Sequence, residues 1–210
     1  FKNYLSETIS DRIKMYKEVD MNNFKTNPNF RWFLERKNFF SKDECQEIMD
    51  LVDKEADLRS GYHRGTENRD TLGNDDKNSC ILNIKTNNNP EILNKFWKAI
   101  QLADLTTYHY NCKGIYNNRV QCHRYDVGQY YNPHADFHWL DEYSTNKLTL
   151  IVFLNDDYEG GEFHFFDGKI IKPEVGKLVI HPTFAGHGVK RVTKGNRYSC
   201  VAWGVGDTFV

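Results

Sequence analysis

The chain lacks an excess of either charge: across 210 residues, 28 Lys and Arg stand against 29 Asp and Glu, for a net charge of −1. No global field remains to hold a polyanion or an anionic lipid surface, so no nucleic-acid partner is expected. Long apolar runs are missing as well. The most apolar stretch, Leu148 to Leu154, falls far short of the roughly 20 residues that a membrane helix needs, and no membrane partner is expected either. The 5 cysteines, Cys45, Cys80, Cys112, Cys122 and Cys200, are odd in number and contain no Cys-x-x-Cys pair. That pattern argues against a disulfide framework or a zinc knuckle and for free thiols in a reducing compartment. No basic segment followed by an apolar run opens the chain, which makes a cytoplasmic location the expectation.

What is present fits a globular protein, with 39% hydrophobic and 27% charged residues, and the length suits one domain with a sizeable core. Residues 1–110 carry the helical signals and read as a supporting layer of that domain. Leu5, Ile9, Ile13 and Tyr16 share one helical face. Ser41-Lys-Asp-Glu44 has the form of a capping box, and Cys45, Ile48, Met49 and Val52 follow at helical spacing, predicting a helix over about 42–57. Another begins at Pro90, with Leu93, Phe96, Trp97 and Ile100 as its apolar stripe. Residues 59–78, rich in glycine and charge, read as a long surface loop that could serve as a lid.

Residues 111–210 change texture to short β-prone runs broken by turn residues. Eight candidate strands fall at about 119–126, 130–137, 147–155, 162–166, 169–172, 177–181, 187–192 and 197–204, separated by signals such as Asp167-Gly168 and Lys194-Gly-Asn196. Eight short strands predict a double-stranded β-helix, or jelly roll, so the expected class is α+β, mainly β, with N-terminal supporting helices.

His134-Ala-Asp136 puts a histidine and a carboxylate on one face of a strand, about 6.5–7 Å apart along it. With 8 histidines in the chain, roughly 0.65 such pairs arise by chance, so the neighbourhood must decide. His187 starts the seventh candidate strand and can supply a third ligand. Two histidines and one carboxylate on one face leave coordination positions open, the arrangement of non-heme Fe(II) oxygenases. Arg197 starts the adjacent strand, where its planar fork could grip a carboxylate such as that of 2-oxoglutarate. Taken singly, His187 reads as a core or loop histidine and Arg197 as a surface arginine.

The conjunction resembles a known family, the Fe(II)/2-oxoglutarate dioxygenases of the prolyl 4-hydroxylase type. The likeness runs through Tyr125-Asp-Val-Gly-Gln-Tyr-Tyr-Asn-Pro-His134-Ala-Asp136, Leu148-Thr-Leu-Ile-Val-Phe-Leu-Asn155, Gly160-Gly-Glu-Phe163, Pro173-Glu-Val-Gly176 and His187 to Gly195-Asn-Arg197-Tyr, ending at Trp203. Upstream, Asn38 to Cys45 resembles the family's entry into its first core helix. The resemblance implies that His134, Asp136 and His187 bind Fe(II) and carry catalysis through it. It also implies that Arg197 holds the distal carboxylate of 2-oxoglutarate, that Tyr125 adds a hydroxyl to it, and that Thr149 faces the co-substrate.

Two positions depart from some family members. Collagen-type members have Lys where this chain has Arg197, so a collagen substrate is not inherited. Phe153 stands where several relatives have Tyr, which removes one co-substrate hydrogen bond. The implied reaction couples O2 and the oxidative decarboxylation of 2-oxoglutarate to hydroxylation of a prolyl residue in a peptide or protein, with ascorbate as a candidate accessory reductant. Rival readings are a hydroxylase of a free amino acid or other small molecule, a non-catalytic metal- or sugar-binding jelly roll, and a zinc hydrolase, which gives Arg197 and Tyr125 no common task. His123, His138, Glu162, Tyr130, Tyr131, Trp139 and Trp203 rank behind as second-sphere, groove or packing residues, and residues 169–177 read as a charged hairpin.

Overall fold

A computed structural model describes residues 27–62, 77–78, 80–85, 89–138 and 142–208. The chain parts into two compact units, Phe1–Phe30 and Arg31–Val210. Of the first, only a turn closed by Phe30 N–H on the Asn27 carbonyl lies among the described residues; the expected amphipathic helix around residues 5–16 lies outside them. Position 110 is no boundary within the second unit, because elements on both sides share its sheets.

The capping box forms as expected. Ser41 Oγ accepts the Glu44 N–H at 3.1 Å while Ser41 N–H donates to Glu44 Oε2 at 2.8 Å, satisfying two donors that a helix start would leave bare. The helix that follows, α1 (Lys42–Tyr62), runs past the expected end near 57, so 59–62 are helical rather than loop. The remainder of the expected lid, 63–76, lies outside the described residues. Pro90 opens α2 (Pro90–Ala103), whose face of Leu93, Phe96, Ala99, Ile100 and Ala103 is buried. Glu44 pairs with Lys95 and so ties the two helices together.

The seven-stranded sheet is antiparallel, in the order β1 (Leu34–Arg36), β11 (Leu178–Pro182), β7 (Asn146–Phe153), β14 (Arg197–Val205), β5 (Arg119–Tyr125), β3 (Cys80–Lys85), with β4 (Gly114–Ile115) on the far end of β14. Facing it, β10 (Ile170–Ile171), β9 (Phe163–Phe165), β12 (His187–Val189), β6 (Tyr130–His134) and β2 (Lys77–Asn78) make a second antiparallel sheet. β13 (Val192–Lys194) and β8 (Glu159–Gly160) pair as a short ribbon. All eight expected strands are present, which makes this a mainly β, two-sheet jelly roll supported by helices. The N-terminal half is less purely helical than its sequence suggests, since it also supplies β1, β2 and β3. The Cys80-Ile-Leu-Asn-Ile run behind β3 is apolar and β-branched enough to have signalled a strand.

Period-2 alternation divides the side chains of the large sheet. On the outer face Val120, Cys122, Leu148, Leu150, Val152, Leu178 and Cys200 pack under Phe40, Ile48, Phe96 and Ile100 of the helical layer. On the inner face Ile151, Phe153 and Val179 meet Phe163, Phe165, Ile171 and Val189 between the sheets. Cys45, Cys112, Cys122 and Cys200 are free thiols. The 169–177 segment is not simply a charged hairpin: Lys177 is buried, bonded to the Lys172 carbonyl at 2.9 Å and paired with Glu35 of β1 at 2.5 Å.

Candidate active site

Register brings the two expected histidines together, because His187 of β12 lies directly opposite His134 of β6. Their ring centroids are 4.6 Å apart. Asp136 follows β6 and is anchored through its own N–H on the Thr183 carbonyl at 2.9 Å. Ligand atoms of His134, Asp136 and His187 all fall within 4.8 Å of one another. Each imidazole is aimed by its backbone neighbours: His134 Nδ1 lies 2.8 Å from the Asn132 carbonyl and His187 Nδ1 lies 3.0 Å from the Ala185 carbonyl. A carbonyl can only accept, so each Nδ1 carries a proton, and Nε2 is the atom each ring offers to the centre.

Asp136 Oδ1 lies 3.3 Å from His134 Nε2, and Oδ2 lies 3.6 Å from His187 Nε2. Oδ2 also accepts the Thr149 hydroxyl at 2.7 Å and the Trp203 indole N–H at 2.9 Å. Burial would push the Asp136 carboxyl up, but His187, His134 and the Trp203 donor outweigh it and hold the group well below the usual carboxylate range. Burial lowers His187 against the opposing pull of Asp136. Two imidazoles and an ionised carboxylate, three on one face, are the donor set a divalent iron takes.

His181 packs against His187 with centroids 4.7 Å apart, and burial pushes its pKa down to about 3. It stays a neutral ring beneath the site and is not part of the ligand group.

The three groups open into a cavity of about 770 Å³ that Tyr125, Arg197 and Ser199 also line. Arg197 pairs with Tyr125 across β14 and β5 and is 1% exposed. Its guanidinium carbon lies 5.3 Å from the Tyr125 ring centroid and 5.6 Å from that of Phe153. Nη1 donates to Ser199 Oγ at 2.9 Å, whereas Nε and Nη2 are buried without a hydrogen-bond partner. A buried cation with no carboxylate paired to it among the described residues is costly, a cost that an incoming anion would relieve. Gly161, at φ +63°, lets the chain approach that side chain, since a Cβ there would stand 3.0 Å from Arg197 Cδ.

Residues 120–204 match the 2OG-Fe(II) oxygenase superfamily. The domain they belong to thus resembles that superfamily over 85 of the chain's 210 residues.

The domain is 36% identical over 85 residues to a PKHD-type hydroxylase of Prochlorococcus marinus strain MIT 9211, covering 38% of either chain. It is 35% identical over 82 residues to human prolyl 3-hydroxylase 2, covering 34% of this chain and 12% of that one. The matched region thus spans about two fifths of the length of the first relative and far less of the second. Among solved structures, a viral collagen prolyl hydroxylase from Paramecium bursaria Chlorella virus-1 superposes with a TM-score of 0.63 at 22% identity, over 82% of this chain and 95% of that one. A Trichoplax adhaerens prolyl hydroxylase, solved with a hypoxia-inducible-factor peptide fragment, gives 0.64 at 18% identity over 85% and 84%. At such identities these two establish the fold.

Within this domain the sequence expectations fare unevenly. Thr149 is fully buried and donates its hydroxyl to Asp136 Oδ2. Trp203, read as groove or packing, is the second donor to that oxygen. Tyr131 stacks on His134 at 3.7 Å between centroids, and His123 stacks on Tyr125 at 5.9 Å. His138 is exposed at the mouth beside Tyr143. Trp139 lies outside the described residues. Arg119, Gln121 and Ser199 line the cavity without having been singled out; strand parity with Tyr125 and Arg197 is the signal that could have found them.

Proposed function

We propose that this chain is an Fe(II)/2-oxoglutarate-dependent dioxygenase that hydroxylates a prolyl residue in a peptide or protein, with succinate and CO2 as co-products. The observation that carries the proposal is Arg197, a buried guanidinium with two unanswered donor atoms in the cavity that also holds the His134, Asp136 and His187 cluster. A metal site alone would suit many hydrolases; a metal beside an anion receptor suits a metal-chelating dicarboxylate. Relatives named as prolyl and PKHD-type hydroxylases support the choice of reaction.

In this reading His134 Nε2, His187 Nε2 and Asp136 hold Fe(II), and Arg197 holds the distal carboxylate of 2-oxoglutarate with the Tyr125 hydroxyl. Iron, when bound, would activate O2 as the oxidant, and 2-oxoglutarate would supply two of its four electrons on losing CO2, one oxygen atom going to succinate and the other to the product. The chain supplies position and dryness. Thr149 and Trp203 hold the Asp136 carboxylate in one orientation, and the backbone carbonyls of Asn132 and Ala185 hold the imidazole tautomers. Phe153, Phe163 and Ile151 keep the inner wall apolar, which strengthens the Arg197 interaction and excludes bulk water.

The test is a panel of proline-containing peptides and free amino acids given to the iron-reconstituted protein with 2-oxoglutarate. A substrate should gain one oxygen atom in mass for each succinate released. Arg197→Ala should raise the 2-oxoglutarate requirement at least about tenfold, the loss of charge-assisted bonds, with iron content unchanged. Unchanged saturation by 2-oxoglutarate in Arg197→Ala would place the co-substrate elsewhere and sink the reading.

A further inference from the structure

The cavity contains a second guanidinium for which the proposed reaction has no task. Arg119 opens β5, six residues before Tyr125, so its side chain enters the same face of the sheet roughly 20 Å along the strand from the Arg197 end. Its guanidinium carbon stands 5.6 Å from the Tyr116 ring centroid. Its Nε is buried with no hydrogen-bond partner among the described residues. Trp203 connects this corner to the metal cluster: its indole meets the Tyr116 ring edge-on at 6.3 Å and donates to Asp136 Oδ2 at 2.9 Å. Arg119 therefore sits two aromatic rings away from the metal-side carboxylate, on the side opposite Arg197.

The charges of the cavity lead to the same place. Asp136 is the sole carboxylate among the described lining residues, set against Arg119 and Arg197. A divalent metal, a dianionic co-substrate, Asp136 and Arg197 together come to neutrality, which leaves the Arg119 charge over. A half-buried cation facing an aromatic wall keeps part of its desolvation cost until an anion joins it. Cation–π contact with Tyr116 offsets only part of that. Gln121 and Asn146 line the same cavity as amide partners for a polar group.

We infer that Arg119 is a specificity residue that recognises a carboxylate on the substrate, held a few residues' reach from the carbon to be hydroxylated. The inference rests on the proposed hydroxylase reading of the cavity and adds the chemistry of the substrate to it. An extended peptide advances about 3.3 Å per residue, so an acidic side chain near the prolyl residue can reach Arg119. The carboxylate of a free amino acid presents the same chemistry from a second source.

The experiment measures binding by calorimetry to the iron- and 2-oxoglutarate-loaded protein without O2, then turnover once O2 is admitted. The probes are short alanine peptides with one proline and a single Asp placed one, two or three residues to either side, each against its Asn twin, together with L-proline against L-prolinamide. One carboxylate probe should bind at least about tenfold tighter than its amide twin, the advantage expected of a charge-assisted contact. Arg119→Gln should abolish that advantage, and Arg119→Glu should transfer preference to a Lys-containing peptide, which a purely structural stack on Tyr116 would not produce. An advantage confined to the peptides, or confined to L-proline, identifies the source and supports the inference either way. Equal binding of every carboxylate and amide pair, no binding by any probe, or an advantage that survives Arg119→Gln overturns it. Hydroxylation with no carboxylate preference overturns this inference and leaves the functional reading standing. Carboxylate-dependent binding with no hydroxylation does the reverse.

Discussion

The two faces of the large sheet are made by alternate residues of the same strands, yet they behave as different materials. On β14 the residues Arg197, Ser199, Val201 and Trp203 line the cavity, while Tyr198, Cys200 and Ala202 between them belong to the core under the helices. On β5 Arg119, Gln121, His123 and Tyr125 alternate in the same way with Val120 and Cys122. One face is a close-packed apolar layer whose worth is stability. The other carries buried polar atoms without partners, which cost stability and are retained for binding. A strand period of 2 lets a single chain segment serve both ends at once.

The largest effect should come from the cavity side. Replacing both His134 and His187 with Ala removes two of three ligands, so iron binding and turnover should vanish together. For the unaltered protein, metal at about a hundred times its dissociation constant should add about 2.7 kcal/mol of stability. A thermal melt with and without Fe(II) or Mn(II) should show that shift in the parent and none in the double variant. Stoichiometric metal retained by the variant would remove these residues from the site.

The opposite face should show the opposite signature. Leu150 is fully buried between the sheet and the helices. Leu150→Ala should cost about 2–5 kcal/mol from lost transfer and the cavity left behind. Denaturant unfolding should read that loss, while metal affinity and 2-oxoglutarate saturation of the folded fraction stay at parent values. A large change in metal affinity would mean that the two faces are coupled and that the division drawn above is too sharp.

Legibility in the sequence follows the same division. The eight strands, the Ser41 capping box and the Pro90 helix start were readable because each depends on neighbours in sequence: alternation, turn residues, a side chain three positions from its partner. The His134, Asp136, His187 and Arg197 set was readable only as a pattern shared with a family. What escaped depends on contacts across the fold. Nothing near Trp203 in sequence says that its indole reaches Asp136, 67 residues away. Thr149 has the right parity for the inner face, but nothing near it in sequence says that its hydroxyl reaches Asp136 Oδ2. Arg119 looks like any charged residue at a strand start until Tyr116 and the cavity are assembled around it.

Trp203 therefore tests the polar face at an intermediate size. Trp203→Phe retains most of the ring and deletes the N–H that Asp136 Oδ2 accepts, leaving Thr149 as the remaining donor. Loss of one such orienting contact should weaken metal affinity by about 10–100-fold, read by competition with a chelator. Global stability should move much less than in Leu150→Ala. Unchanged metal affinity would make the indole a packing group only.

The smallest effect belongs to the helical layer, at a residue exposed to solvent and remote from the cavity. Ser41 Oγ accepts the Glu44 N–H, and Ser41 N–H is answered by the Glu44 carboxylate, which Lys95 of α2 also holds. Ser41→Ala removes only the first of these bonds and should cost about 1 kcal/mol, while Ser41→Asp, an equally good cap, should cost little. For a chain of this size that corresponds to about 2–4 °C in Tm. Both variants should bind metal and 2-oxoglutarate as the parent does, because the described side chains of α1 meet the outer face of the sheet and none of them lines the cavity. An equal loss for Ala and Asp would show that the cap is not what holds α1 at its start. In that case the Glu44–Lys95 pair, together with Phe40 and Cys45 beneath it, would fix α1 against the sheet.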